Sequence, residues 1–209
     1  MSLKGVYSVI LLVFALHLSW SQKTLSKVLE DPSLTQIHVL AQEVNTLHLK
    51  PSSSKELLVS ARLNGEYSLH QMIVFTRKGN TLFIGPDLSA TFELPNDKLS
   101  AHKIWSVDLA IEIPAYLEVY IDGGNTQINA EGIFEKLQIQ LNDGLCVLKE
   151  VGNQVRVNTI RAPIILKQKK AIVNAETTYG TLILHSIPKG LSEIVLRSIH
   201  GDIKVVPLD

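Results

Sequence analysis

Cysteine is almost absent from this 209-residue chain: Cys146 stands alone, so no internal disulfide can form. Aromatic residues make up only 6% of the sequence, so a core has to be filled by aliphatic side chains. Neither sign of charge is in excess, with 20 basic and 20 acidic residues, and this excludes a dedicated nucleic-acid binder, which needs a basic face. Beyond the N-terminus the histidines are His38, His48, His70, His102, His185 and His200. None lies two, three or four residues from another His or from Cys146, so no zinc motif is present. Acid-and-glycine corners do not recur as a calcium repeat requires, and there is no G-x-S-x-G. No metal, cofactor or catalytic residue is therefore assigned. Sustained apolar spacing of three and four is missing as well, which excludes long helices.

Long apolar runs are limited to Val6–Leu16, too short for the ~20 residues of a spanning helix. Lys4 precedes that run and Ser19-Trp20-Ser21 follows it. This is the layout of a signal peptide over residues 1–21, cut before Gln22, with no transmembrane span in the mature chain. No Cys follows the run to take a lipid. The expected location is the periplasm or the cell surface, where a protein without disulfides is held by burial and ladder hydrogen bonds.

What is present is a repeat in residues 116–209. It is centred on Thr126, Gly144, Ala162, Gly180 and Gly201, at spacings of 18, 18, 18 and 21. Positions seven, five and three before each centre, and two and four after it, read inward. They are Val119, Ile121, Gly123, Ile128 and Ala130 in the first unit and Leu137, Ile139, Leu141, Cys146 and Leu148 in the second. The third has Val155, Val157, Thr159, Ile164 and Leu166, the fourth Val173, Ala175, Thr177, Leu182 and Leu184, the fifth Ile194, Leu196, Ser198, Ile203 and Val205. Of these 25 positions 21 are apolar, where a chain 45% apolar gives about 11 by chance, and strict alternation is the mark of strands. The expectation is a parallel β-solenoid of about five rungs. Cys146, on an inward column, reads as a small buried hydrophobe.

Three positions after the centres stand Asn129, Val147, Ile165, Ile183 and Lys204. The middle three make strand segments apolar on both faces, and such segments are usually covered on both. The cover is expected from the N-terminal half; a homodimer is the other way of supplying it.

Residues 22–115 show no such register but read as strands. Thr35–Val39, Thr46–Leu49, Leu57–Leu63, Met72–Phe75, Leu82–Ile84 and Trp105–Ile113 alternate. Asn64-Gly65 and Lys78-Gly79-Asn80 are turn signals, and Trp105 shares the phase of the buried residues in its strand. Residues 22–34 read as an exposed lead-in, with one short helical turn at Ser26–Glu30. Gly85–His102 reads as a long loop. The expectation is antiparallel strands that cap the solenoid or pack on it, since an open stack end leaves unpaired edges. The whole chain is thus all-β.

The outward positions offer the candidate binding surface. Asp122, Gln140, Asn158, Glu176 and Arg197 form a polar ladder four residues before each centre, beside a second column of Tyr120, Gln138, Arg156, Asn174 and Val195. Amides, acids and arginines in rows suit a glycan or the edge of an envelope protein. The enzymatic alternative is a carbohydrate-active enzyme on a β-helix, which needs two facing carboxyl groups; Glu131, Glu135 and Glu150 fall in connecting loops.

The last unit, Ser198-Ile199-His200-Gly201-Asp202-Ile203-Lys204-Val205, resembles the recurring S-x-x-G-D-I-x-V rung of bacterial adhesin-like β-solenoid domains. These include the auto-transporter adhesin head domain family. Asn142-Asp143-Gly144 and Tyr179-Gly180-Thr181-Leu182 match more loosely, and the likeness covers residues 116–209. The short leader ending in Ser21 is similar to those of exported Bacteroidetes proteins. The resemblance implies a non-catalytic envelope or cell-surface module with an adhesin-like binding or structural role.

Overall fold

The computed structural model describes residues 23–65, 70–89 and 105–208. The expected signal peptide, most of the expected long loop and the side chain of Trp105 lie outside the described residues. Within them there is no helix. The strands are β1 (Lys23–Glu30), β2 (Gln36–Ala41), β3 (Thr46–Ser52), β4 (Glu56–Gly65), β5 (Gln71–Lys78), β6 (Thr81–Leu88), β7 (Trp105–Pro114), β8 (Glu118–Thr159), β9 (Ile164–Gln168), β10 (Ile172–Thr177), β11 (Leu182–Leu184), β12 (Glu193–Ser198) and β13 (Ile203–Pro207). They form one mixed sheet that does not close on itself.

Each repeat unit supplies two strand segments joined at its centre, so the sheet has two arms. One arm holds β5, β6, β2, the leading segments of β8, β12 and β10. The other holds β1, β4, β7, β3, the trailing segments of β8, β9, β13 and β11. Their inward faces contribute to one buried cluster. The inward residues of the first, second, third and fifth units are all buried, Cys146 fully so. Burial alone pushes the Cys146 thiol up to about 12, which leaves it protonated and inert.

The order of the units differs from the chain order. Val155 pairs with Ile194, and Ile194 with Val173, both in parallel. The fifth unit is therefore inserted between the third and the fourth. In the first arm it brings Ile194 and Leu196 into the interior and leaves the smaller Val173 and Ala175 at the end, half-buried. The longer 21-residue spacing supplies the connection that steps back, tied where the Ala171 amide donates to the Pro188 carbonyl at 3.0 Å.

The N-terminal half corrects a second expectation. Antiparallel pairing joins β1 to β4, β4 to β7 and β5 to β6, the last pair through the turn at Gly79, whose φ is 61°. However, β2 and β3 run parallel to β8, and β6 and β7 run parallel to β2 and β3. Two further two-strand units thus join the same stack. Ile37 pairs with Val119 and Leu47 with Ile128, at offsets of 82 and 81, so the corner is one residue different in length and the 18-residue register is lost. Residues 26–30 are strand and not helix, because β1 pairs with β4 along its whole length. Gly85 to Leu88, expected to open a long loop, belong to β6 instead. The N-terminal strands do not cover the outer row either: they extend the sheet edgewise, Val147 and Ile165 are half-buried, Ile183 is 44% exposed, and Lys204 stands between Ile165 and Ile183.

The corner is where the units meet most tightly. A Cβ on Gly144 would strike the Thr126 carbonyl, and one on Gly201 would strike the carbonyl of Ala162. Gly144 also has φ 98°, which side chains disfavour. Buried hydroxyls hold the same column. Thr126 Oγ1 donates to the Ala41 carbonyl at 2.7 Å, and the Gly201 amide donates to Ser198 Oγ at 2.8 Å. We predict that Gly201→Ala costs about 1–3 kcal/mol through overpacking. At about 2–4 °C in Tm per kcal/mol this is measurable by thermal melting, and an unchanged Tm would contradict the close approach.

Candidate functional site

The pleat of the leading segments sends every second side chain outward. With the observed unit order, the ladder runs Asp122, Gln140, Asn158, Arg197, Glu176, since Arg197 pairs with Asn158 on one side and Glu176 on the other. Four of these five, all but Asp122, line a surface groove of about 490 Å³. Its other wall is the outward column two residues before the centres, including Asn142, Ile160, Ile199 and Thr178. Ile160 is 41% and Ile199 44% exposed. The groove is therefore amphipathic, with amides, one guanidinium and one carboxylate facing two isoleucines. Arg197 Nε lies 3.9 Å from Glu176 Oε2, an exposed pair that leaves both heads free to bind in solvent. Sequence reasoning did not single out Ile160 and Ile199; apolar residues at an outward phase were the available signal.

Asp122 stands apart from the groove. His38 Nε2, from β2, lies 2.5 Å from Asp122 Oδ2, and both side chains are about a third exposed. The His38 ring is flanked by Phe83 at 5.1 Å and Tyr120 at 6.1 Å.

In the neighbouring column Tyr120 Oη donates to Glu118 Oε2 at 2.7 Å, and Lys136 Nζ donates to Tyr120 Oη at 3.0 Å and to Glu118 at 3.4 Å. The tyrosine hydroxyl first, and the Lys136 ammonium next, hold the Glu118 carboxyl below its usual range. A carboxyl held down contributes stability above its unfolded pKa and loses it as pH falls through the folded value.

Glu131, Glu135 and Glu150, expected in connecting loops, all lie within β8 instead, and two of them are engaged with neighbouring units. Glu131 accepts a hydrogen bond from Lys149 at 2.7 Å, which lowers its pKa, the opposite of what a general acid needs. Glu150 accepts the Lys169 amide at 2.6 Å. Among the described residues no three His, Cys, Asp or Glu side chains converge to hold a metal ion, and no helix is long and apolar enough to cross a membrane.

No family model matches the chain, and no curated protein matches it in sequence. Solved structures are similar to it to differing degrees, and the first of them shares its fold. A Clostridium sporogenes protein provisionally named a cell adhesion protein superposes with a TM-score of 0.62 at 13% identity, over 90% of this chain and 100% of its own. A provisionally named adhesin from Bacteroides fragilis gives 0.38 at 11% identity, covering 89% and 98%. A third, from Parabacteroides merdae and named in the same way, gives 0.30 at 7%, covering 88% and 96%.

We predict that Tyr120→Phe raises the Glu118 pKa toward 4.5, its ordinary value. Carboxyl NMR titration reads this directly, and an unmoved midpoint would show that the hydroxyl does not hold the carboxylate.

Proposed function

We propose that the chain is an exported, non-catalytic module of the cell envelope or cell surface, a short β-solenoid that binds a glycan in its corner groove. In this reading residues 22–115 begin the same stack that residues 116–209 complete. The observation that carries it is the amphipathic groove. Gln140, Asn158, Arg197 and Glu176 offer donors and acceptors for sugar hydroxyls, while Ile160 and Ile199 offer an apolar wall for the C–H face of the ring. The signal-like leader and the likeness of fold to a protein named for cell adhesion support the export and adhesin-like parts of the reading. The enzymatic alternative gains no support from the ladder. With the observed order Asp122 and Glu176 lie four strand steps apart, about 19 Å, whereas glycosidases place their carboxyls roughly 5–10 Å apart.

A glycan array with the purified protein is expected to yield a bound class. Asn158→Ala is expected to weaken that binding by about two- to tenfold, the worth of one net hydrogen bond. Its Tm is expected to stay unchanged because the side chain is exposed. An array with no retained glycan, or binding indifferent to Asn158→Ala and Arg197→Ala together, would contradict the proposal.

A further inference from the structure

Both arms of the sheet stop at the same end. Among the described residues β10 pairs only with β12, and β11 only with β13. The amides of Ile172 and Thr178 donate to the carbonyls of Ser192 and Ser198, and that of His185 donates to the Val205 carbonyl. Backbone groups alternate in direction along a strand. The amides of Val173, Ala175, Thr177, Leu182 and Leu184 therefore point off the end of the stack. The side chains of these same residues form the last layer of the core, and Leu182 is 43% and Leu184 55% exposed.

The opposite end is finished differently. There β5 and β1 close the two arms as antiparallel strands carrying Lys27, Arg77 and Lys78, and the Lys27 ammonium lies 4.1 Å over the Phe75 ring, bridging one arm to the other. Lysine on an edge opposes further strand pairing. In contrast, β10 and β11 together carry a single charged side chain, Glu176.

We propose that the β10–β11 end docks on the same end of a second copy, with both arms continued across a two-fold axis. A single extended peptide pairs with one edge and leaves the other bare. The occupant has to present two strand edges with an apolar layer between them, and the described chain has one end of that kind. An axis crossing both arms sets β10 antiparallel to β10 of the second copy, and β11 antiparallel to its β11. Passing through Ala175, it keeps inward side chains facing inward. Val173 then lies opposite Thr177, and Asn174 opposite Glu176, an amide facing a carboxylate with no like charges opposed. The dimer is closed, because its two outer ends are the lysine-bearing ones. It also sets the two corner grooves on one continuous sheet.

Sedimentation velocity of the purified protein from about 1 to about 100 µM tests this. Wild type is expected to be a dimer. Ala175→Pro removes only an amide that points off the end and leaves the bonds to β12 in place, so it is expected to be a folded monomer with a wild-type circular dichroism spectrum. Leu184→Lys is expected to be monomeric as well; its side chain is already half in solvent, and it answers the question should the proline variant not fold. Wild type that stays monomeric throughout, either folded variant remaining dimeric, or a series of species growing by single protomers would each overturn the two-fold end-to-end pairing.

Discussion

The contact on which the structure depends is the passage of one corner over the next. At Gly144 and Gly201 the backbone lies directly on the carbonyl of the unit beneath, with no room for a Cβ. This approach brings successive segments to ladder distance, about 4.8 Å. It also fixes which side chains face inward. The polar residues among the inward positions have their place here. Thr159 Oγ1 donates to the Ala162 carbonyl at 2.8 Å and Thr177 Oγ1 donates to the Gly201 carbonyl at 2.9 Å, so the hydroxyls serve backbone groups that bending at the corner removes from the ladder. A buried polar group without such a partner would cost stability.

With the corner fixed, the outward face follows. The groove lies between the ladder of Gln140, Asn158, Arg197 and Glu176 and the column that includes Ile160 and Ile199, because the side chains between them point into the core. The polar half of the groove and its apolar half thus come from the same alternation, two residues apart. Asp122 belongs to the same column but is drawn to His38, which β2 sets beside it.

The parallel strands of residues 116–209 were legible in the sequence because period-two alternation recurs there at a fixed spacing. The interchange of the last two units was not, since any stacking order that matches centre to centre keeps Ile194 in phase with both Val155 and Val173. Only the difference in bulk between Ile194-x-Leu196 and Val173-x-Ala175 distinguishes them. The N-terminal units were hidden by their separation. His38 meets Asp122 across 84 residues of chain, and no local period records such a pairing. The ladder column was correctly read as outward, whereas its neighbour order depended on the hidden interchange.

A disulfide test reaches that order directly. In the observed stack Asn158 and Arg197 are partners on adjacent strands, and Glu176 is one strand further away. Cα atoms about 5 Å apart fall within disulfide reach, and those about 10 Å apart do not. Asn158→Cys combined with Arg197→Cys should therefore oxidise to an intramolecular disulfide, and Asn158→Cys combined with Glu176→Cys should not, while native Cys146 stays buried in both. Bridging of the second pair and not the first would contradict the fifth unit's place between the third and the fourth.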